Sequence, residues 1–235
     1  MSIKGLFPIE NWDFKTNSIH ENLPTEDLAL LTAHKSDKVY KRGEIIFREG
    51  SFPAGIFLIQ DGKAKKFKLD NEGNEHIIYV ANSGELIGYH AVLAEERYPD
   101  SATALEESTI GFIAKEDFLA ALQKSTILTH RLLKTLSHEF TVLTNSLTIF
   151  GQKPVRERLA LQLVVLREKY KKNFLPGMAV EIDMSRDDLA SLVGTARENI
   201  VRTLSEFKKE GIVETTGRKI IVRDVKKLIH IADYN

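Results

Sequence analysis

Four side chains within six residues, Arg197, Glu198, Asn199 and Arg202, could do recognition chemistry if one helix holds them on its outer side. An arginine fork donates two hydrogen bonds to a guanine, and a glutamate accepts from the amino group of a cytosine. The elements that would position them are readable between Met184 and Val213, MSRDDLASLVGTARENIVRTLSEFKKEGIV. Ser185 precedes Asp188 by three residues and Thr195 precedes Glu198 by three, so two short helices are predicted, each opened by a hydroxyl cap and an acid at the third helical position. Leu192, Val193 and Gly194 make the bend between them, and Gly194 can take the left-handed conformation that closes the first helix. Leu189 and Leu192 on the first helix and Ile200, Leu204 and Phe207 on the second recur at helical spacing, which makes them the packed sides. Gly211 stops the second helix, and IVETTGRKIIV follows as a hairpin turning near Gly217. The expectation is a winged helix-turn-helix. A protein-interaction module with a capped helix pair and no DNA is the competing class, and Glu198 could serve only as a capping acid.

The charge distribution bears on a nucleic-acid partner. The 235 residues carry 33 Lys and Arg against 33 Asp and Glu, yet from Gln152 onward the count is 17 against 12, leaving 16 against 21 for residues 1–151. The basic half carries the helix pair. Its Lys153, Arg156, Arg158, Lys169, Lys171, Lys172, Lys208, Lys209, Arg218 and Lys219 are candidates for the phosphate contacts that dominate non-specific affinity. With no cysteine, disulfides, thiolate metal sites and cysteine-ligated clusters are excluded. No apolar run approaches the roughly eighteen residues of a membrane span, and the N-terminus has no basic region followed by a long apolar core, so no membrane partner and a cytoplasmic location are expected. No nucleophile-elbow pattern, phosphate loop or HExxH motif is present, and an enzyme is not expected.

The first half reads as strands. Between residues 38 and 105, glycines at 43, 50, 55, 62, 73, 84 and 88 separate short β-prone runs, EIIF, GIFLIQ, AKKFKL and HIIYV, with hairpin signals at Asp61-Gly62 and at Asn71-Glu72-Gly73. A small antiparallel barrel or roll is predicted. Helical character begins at Lys115, and in the longer helix that follows Leu133, Leu136, Phe140, Leu143, Leu147 and Phe150 are spaced 3, 4, 3, 4, 3. Such an a/d stripe is narrower than the apolar face of a globular helix and is expected to be a dimer seam, the alternative being that it packs on the chain's own roll. Pro154 breaks the helix at 151–154 and provides a hinge. A helix over 155–171, a loop at Pro176-Gly177, the short strand MAVEI and the helix pair follow.

A glycine-punctuated roll, a long dimer helix, a hinge and a winged helix-turn-helix, in that order, resemble the Crp/Fnr superfamily of bacterial transcription regulators. The residues that carry the resemblance are GELIG at 84–88, RERLA at 156–160 and DLASLVGTARENIVRTLSEFKKEGIV at 188–213. It implies an α+β chain: an N-terminal double-stranded, jelly-roll-like β-roll with a long dimerisation helix, then a C-terminal winged helix-turn-helix. The implied domains are a cyclic-nucleotide-binding-like sensor at 1–125, a dimerisation helix and hinge at 126–151 and a DNA-binding domain at 152–235. By resemblance, Arg197, Glu198 and Arg202 occupy the base-reading positions, and Ser185, Thr195, Asn199 and Arg218 are expected at the DNA backbone. The family commonly places a phosphate-touching hydroxyl just before the first arginine, where this chain has Ala196. Double-stranded DNA, a second copy of the chain and RNA polymerase are the implied partners, and the operator is an inverted repeat.

The same resemblance implies a small-molecule pocket in the roll, with departures. After GELIG the family's nucleotide binders carry a glutamate for the ribose, and here the residue is Tyr89. Where an Arg-Ser or Arg-Ala pair grips the cyclic phosphate, this chain has Asp100-Ser101, and an aspartate repels a phosphate. Leu143 and Thr144 stand where two hydroxyls approach the adenine. Cyclic AMP is therefore not the expected effector, which stays unknown; Tyr89, His90, Asp100, Ser101, Leu143 and Thr144 outline the candidate pocket. Some relatives sense carbon monoxide or nitric oxide through haem, which keeps a haem-dependent gas sensor as an alternative, with His34, His76 and His90 in or near the roll; no histidine pair has metal-site spacing.

Overall fold

Strand-forming runs alternate with glycine corners in the first half of the chain, and the outcome is two four-stranded antiparallel sheets. The computed structural model describes residue 3, residues 5–171 and residues 179–233. The described chain forms two compact units, one from Phe14 to Phe140, the other from Thr141 onward together with the residues up to Asp13.

In the first unit α1 (Thr25–Thr32) precedes β1 (Ser36–Tyr40), β2 (Ile45–Phe47), β3 (Gly55–Asp61), β4 (Lys63–Leu69), β5 (Glu75–Asn82) and β6 (Leu86–Ile87); then come α2 (Tyr89–Ala94), β7 (Ser101–Ala104), β8 (Ser108–Ala114) and α3 (Lys115–Lys124). The sheet orders are β1-β8-β3-β6 and β2-β7-β4-β5. Phe47 of the second sheet stacks on Phe57 of the first at 5.6 Å between ring centres, so the two sheets face one another. The predicted hairpin at Asn71-Glu72-Gly73 joins β4 to β5, and Asp70 locks it by accepting from the backbone N–H groups of Glu72 and Asn74. The predicted hairpin at Asp61-Gly62 is corrected. β3 and β4 lie in different sheets, and Gly62 is the corner at which the chain changes sheets. Its φ is +89°, and a Cβ there would fall 2.2 Å from the Ser108 hydroxyl, so only glycine fits. Asp-Gly signals a sharp turn; whether its strands pair is decided by long-range partners.

The helix α4 (Thr126–Gln152) runs from the first unit into the second. Its Leu128 and Leu132 join Ile19, Leu31, Ile56, Leu86, Ile113 and Phe118 in the roll's core, each fully buried apolar side chain contributing about 1.5–3 kcal/mol. The predicted stripe lies on another face. Leu133, Phe140, Leu143 and Leu147 are 59%, 70%, 40% and 71% exposed, while Leu136 and Phe150 are half-buried. The helix ends at Gln152, and Pro154, in extended conformation, caps the next one.

The second unit contains α5 (Val155–Lys169), β9 (Glu181–Asp183), α6 (Arg186–Val193), α7 (Arg197–Lys209), β10 (Val213–Thr216), β11 (Lys219–Val222) and α8 (Val225–Ala232). The loop expected at Pro176-Gly177, and Lys172 with it, lies outside the described residues. Of the strand expected as MAVEI, Met178 lies outside the described residues, and among the described ones the strand is Glu181–Asp183, the stretch that pairs with Lys219–Ile221 of β11. That pairing turns the two-stranded wing into a three-stranded sheet of order β10-β11-β9. Residues before Phe14 are tied here as well: Asp13 pairs with Lys169 at 2.9 Å, and the carbonyl of Asn11 accepts from the Asn145 amide at 3.1 Å. The architecture as a whole is α+β, with an N-terminal β-sheet unit, a long helix and a C-terminal helix-turn-helix.

Candidate nucleic-acid interface

The helix pair forms where the sequence places it. Ser185 is the N-cap of α6: its hydroxyl accepts from the Asp188 N–H at 2.9 Å and donates to the Asp188 carboxylate at 2.6 Å. Gly194 closes the helix in the left-handed conformation, φ 69° and ψ 52°, as expected. The second cap differs from expectation. Ala196, not Thr195, is the N-cap of α7, and no side chain bonds there. The Thr195 N–H is still spent on the Ala190 carbonyl, so the chain is inside the turn at that residue, and the Thr195 hydroxyl accepts from the Asn199 amide at 2.9 Å.

Packing then decides which side of α7 faces solvent. Ile200, Leu204 and Phe207 are buried, as are Leu189 and Leu192 of α6. Arg158 of α5 braces the junction, donating to the carbonyls of Gly194 at 3.1 Å and Phe150 at 3.2 Å. Arg197, Glu198 and Arg202 are exposed, and with Val201, Ser205, Glu206 and Lys209 they line one open depression along α7. Arg202 donates to the Asn199 side chain at 2.9 Å, so a relay from Thr195 through Asn199 orients one of the three candidate readers. Asn199, placed at the DNA backbone by resemblance, is half-buried and occupied in that relay. Arg197 reaches Asp187 at 3.4 Å, both side chains being largely exposed, a contact worth little in water and free to exchange.

The wing is held by an arginine that sequence reasoning passed over. Arg186, the first residue of α6, donates to the carbonyls of Gly217 at 2.9 Å and Arg218 at 3.3 Å, fixing the β10–β11 turn beside the helix pair. Arg218 at the tip is exposed and pairs with Asp183 at 3.2 Å. Burial, and secondarily the cation of Arg197, hold the pKa of Arg186 below the usual arginine value. Arg186 stays charged at any physiological pH. Among the other candidate phosphate contacts, Arg156 forks onto Glu210 and reaches Glu206, Lys153 pairs with Glu157 and Asp233, Lys169 with Asp13, and Lys171 with Glu168. Lys208 and Lys209 on α7 and Arg218 and Lys219 on the wing are exposed, Lys219 also pairing with Glu181 at 2.7 Å.

Several of the candidate pocket residues are engaged by other groups of the chain. Tyr89 is buried, its hydroxyl donates to the carboxylate of Glu139 on α4, and His90 Nε2 lies 2.6 Å from the other Glu139 oxygen. Burial, followed by the Glu139 charge, pushes the Tyr89 hydroxyl pKa far up, so it remains a hydrogen-bond donor. Asp100 pairs with Lys66 of β4 at 3.0 Å, both nearly buried, and the Ser101 hydroxyl accepts from the Glu49 N–H at 2.9 Å. Leu143 and Thr144 are exposed and belong to the other unit, Thr144 bonding its own helix at the Thr141 carbonyl. Neither Glu139 nor Lys66 was singled out from sequence. Of the histidines, His90 is engaged by Glu139, His34 pairs with Asp117 at 3.1 Å, and His76 is exposed. Among the described residues no group of three His, Cys, Asp or Glu side chains is placed to hold a metal ion, and no helix is long and apolar enough to cross a membrane.

A packed helix that turns Arg197, Glu198 and Arg202 to solvent, next to a pinned wing, is the layout of a winged helix-turn-helix. Comparison with known proteins agrees. A cyclic nucleotide-binding domain model matches residues 37–125 and a Crp-like helix-turn-helix domain model matches residues 157–231. The chain is 26% identical over 218 residues to the cyclic AMP receptor protein of Thermus thermophilus, covering 93% of this chain and 98% of that protein. It is 26% identical over 212 residues to the transcriptional activator protein Anr of Pseudomonas aeruginosa, covering 90% and 86%. The solved structure of FixK2 from Bradyrhizobium japonicum superposes with a TM-score of 0.73 at 20% identity, covering 86% of this chain and 98% of that one, which establishes likeness of fold. The chain belongs to the Crp/Fnr family of transcription regulators. The family consists of DNA-binding regulators, generally dimeric, and not of enzymes.

Proposed function

We propose that this regulator binds an inverted-repeat operator as a homodimer and reads each half-site with Arg197, Glu198 and Arg202. The observation that carries the reading is the exposure of these three side chains on a helix whose opposite side is fully packed, with Arg202 aligned by Asn199. Arg197 and Arg202 match guanines and Glu198 a cytosine. Ser185, Thr195 and Arg218 approach the phosphates, and the exposed Lys208, Lys209 and Lys219 add charge. The exposed stripe of α4 supports dimerisation, since a two-stranded helical seam would cover Leu133, Phe140, Leu143 and Leu147. Residues 126–151 then act as dimer helix and hinge between a sensor domain and a DNA-binding domain. The location is cytoplasmic, and RNA polymerase is the further partner, with the exposed loop around Phe52 a surface for it.

A cyclic nucleotide is not the effector we infer for the roll. At the position expected to grip a cyclic phosphate, the Asp100 carboxylate is already paired with Lys66, and at the ribose position Tyr89 is tied to Glu139. Both supports favour an effector of different chemistry or none. A gel shift with the chain's own upstream region, repeated across salt, tests the DNA reading. Each phosphate neutralised lowers log K by about 0.9 per log unit of salt, so a steep negative slope is expected, and a salt-independent shift would contradict it.

A further inference from the structure

On the outer side of α7, one residue does not match its surroundings. Arg197, Glu198, Arg202, Ser205 and Glu206 line the depression with charged or hydroxylic groups, and in their midst Val201 is 49% exposed. The packing of α7 does not need it, since Ile200, Leu204 and Phe207 fill the buried side at 0%, 3% and 0% exposure. A β-branched residue is also a poorer helix former than the straight-chain polar residues around it. At about 100° per residue, Val201 lies roughly 40° round the helix from Arg197 and one turn further along, between the radial positions of Arg197 and Glu198.

We propose that Val201 is a further specificity-determining residue, packing its methyl groups on the C5 methyl of one thymine in each half-site. The inference rests on α7 being the base-reading helix. Arg197 and Arg202 match guanine and Glu198 matches cytosine, but thymine is marked in the major groove by a methyl group that only an apolar contact can report. Val201 is the exposed apolar side chain lining the depression that holds all three polar readers, and it sits in the N-terminal half of the helix, the part that approaches base edges. Its branched Cβ restricts χ1, so the methyl groups have a set direction and a short reach. That suits a fixed pairing with one base better than an adaptable contact. Closing the two apolar groups on one another removes both from water on binding, which gives a thymine at that position an advantage over any base without the methyl.

The test uses the full chain and the operator recovered by selection from random duplexes. Each thymine of one half-site is replaced in turn by deoxyuridine, which differs only by the missing methyl, and binding is measured for the native chain and for Val201→Ala. Alanine favours the helix and the site is exposed, so the variant keeps its fold. The expected result is one thymine whose demethylation weakens native binding by about fourfold, the equivalent of one buried carbon, while Val201→Ala binds the two duplexes equally. Uniform indifference of the native chain to deoxyuridine, or an equal response of both proteins, would overturn the proposal. Its failure is distinguishable from failure of the helix as reader: if Arg197→Ala selects the same sequence as the native chain, α7 does not read bases; if Arg197→Ala shifts the selection and the deoxyuridine scan is flat, Val201 alone is misassigned.

Discussion

Arg197 and Glu139 show how differently single residues announce themselves. Arg197 follows the Gly194 turn and precedes the apolar repeat Ile200, Leu204 and Phe207, so its outward direction could be read from local pattern. Arg197→Ala is expected to weaken operator binding by about 1–3 kcal/mol, measured by anisotropy on the selected duplex. No local pattern marks Glu139. Its partners Tyr89 and His90 are about fifty residues earlier in the chain, and only the packing of α4 on the roll brings them together. Glu139→Ala leaves a buried tyrosine hydroxyl without its acceptor and is expected to cost about 1–3 kcal/mol of stability in chemical denaturation. The Asp100–Lys66 pair was invisible for the same reason: Lys66 lies on β4 and Asp100 just before β7, more than thirty residues apart. The helix pair and its outward side were legible at 185–202, though not the Ala196 cap or the role of Arg186; the contents of the roll's interior were not.

At the scale of elements, period and punctuation carried most of the information. The α6–α7 pair, the hairpin at Asn71-Glu72-Gly73, the end of α4 before Pro154 and the left-handed Gly194 all follow from short-range rules. Where a second sheet or a third strand decides the outcome, local signals fell short, as at Asp61-Gly62 and at β9. The shift of the α7 cap from Thr195 to Ala196 has a local cause that composition hides, since Thr195 is still closing the preceding turn. The Ser185 cap, by contrast, formed as expected, and Ser185→Ala should lower stability by about 1 kcal/mol, read as a reduced thermal midpoint. On α4, a dimer seam would cover the exposed stripe with a second copy. A charge at Phe140 or Leu147, as in Phe140→Glu or Leu147→Glu, should shift sedimentation from dimer to monomer while leaving the roll folded, because both side chains are exposed within one chain. A monomeric native protein would remove the seam.

For the whole molecule, a net charge of zero conceals the property that matters. The half that carries the helix pair has five more cations than anions, and its exposed Lys208, Lys209, Arg218 and Lys219 lie on α7 and the wing, the last two in exposed surface pairs with Asp183 and Glu181. One reading helix per subunit, in a two-fold dimer, would meet half-sites about one helical turn apart. The most direct measurement is therefore a selection of bound duplexes from a random pool by the native full-length chain and by Arg197→Ala, side by side. The native chain should enrich an inverted repeat whose half-sites are spaced by about 10 base pairs, and Arg197→Ala should lose preference at one base pair in each half-site. Recovery of no repeat, or of the same repeat at full strength by both proteins, would contradict the assignment of α7 as the reading head.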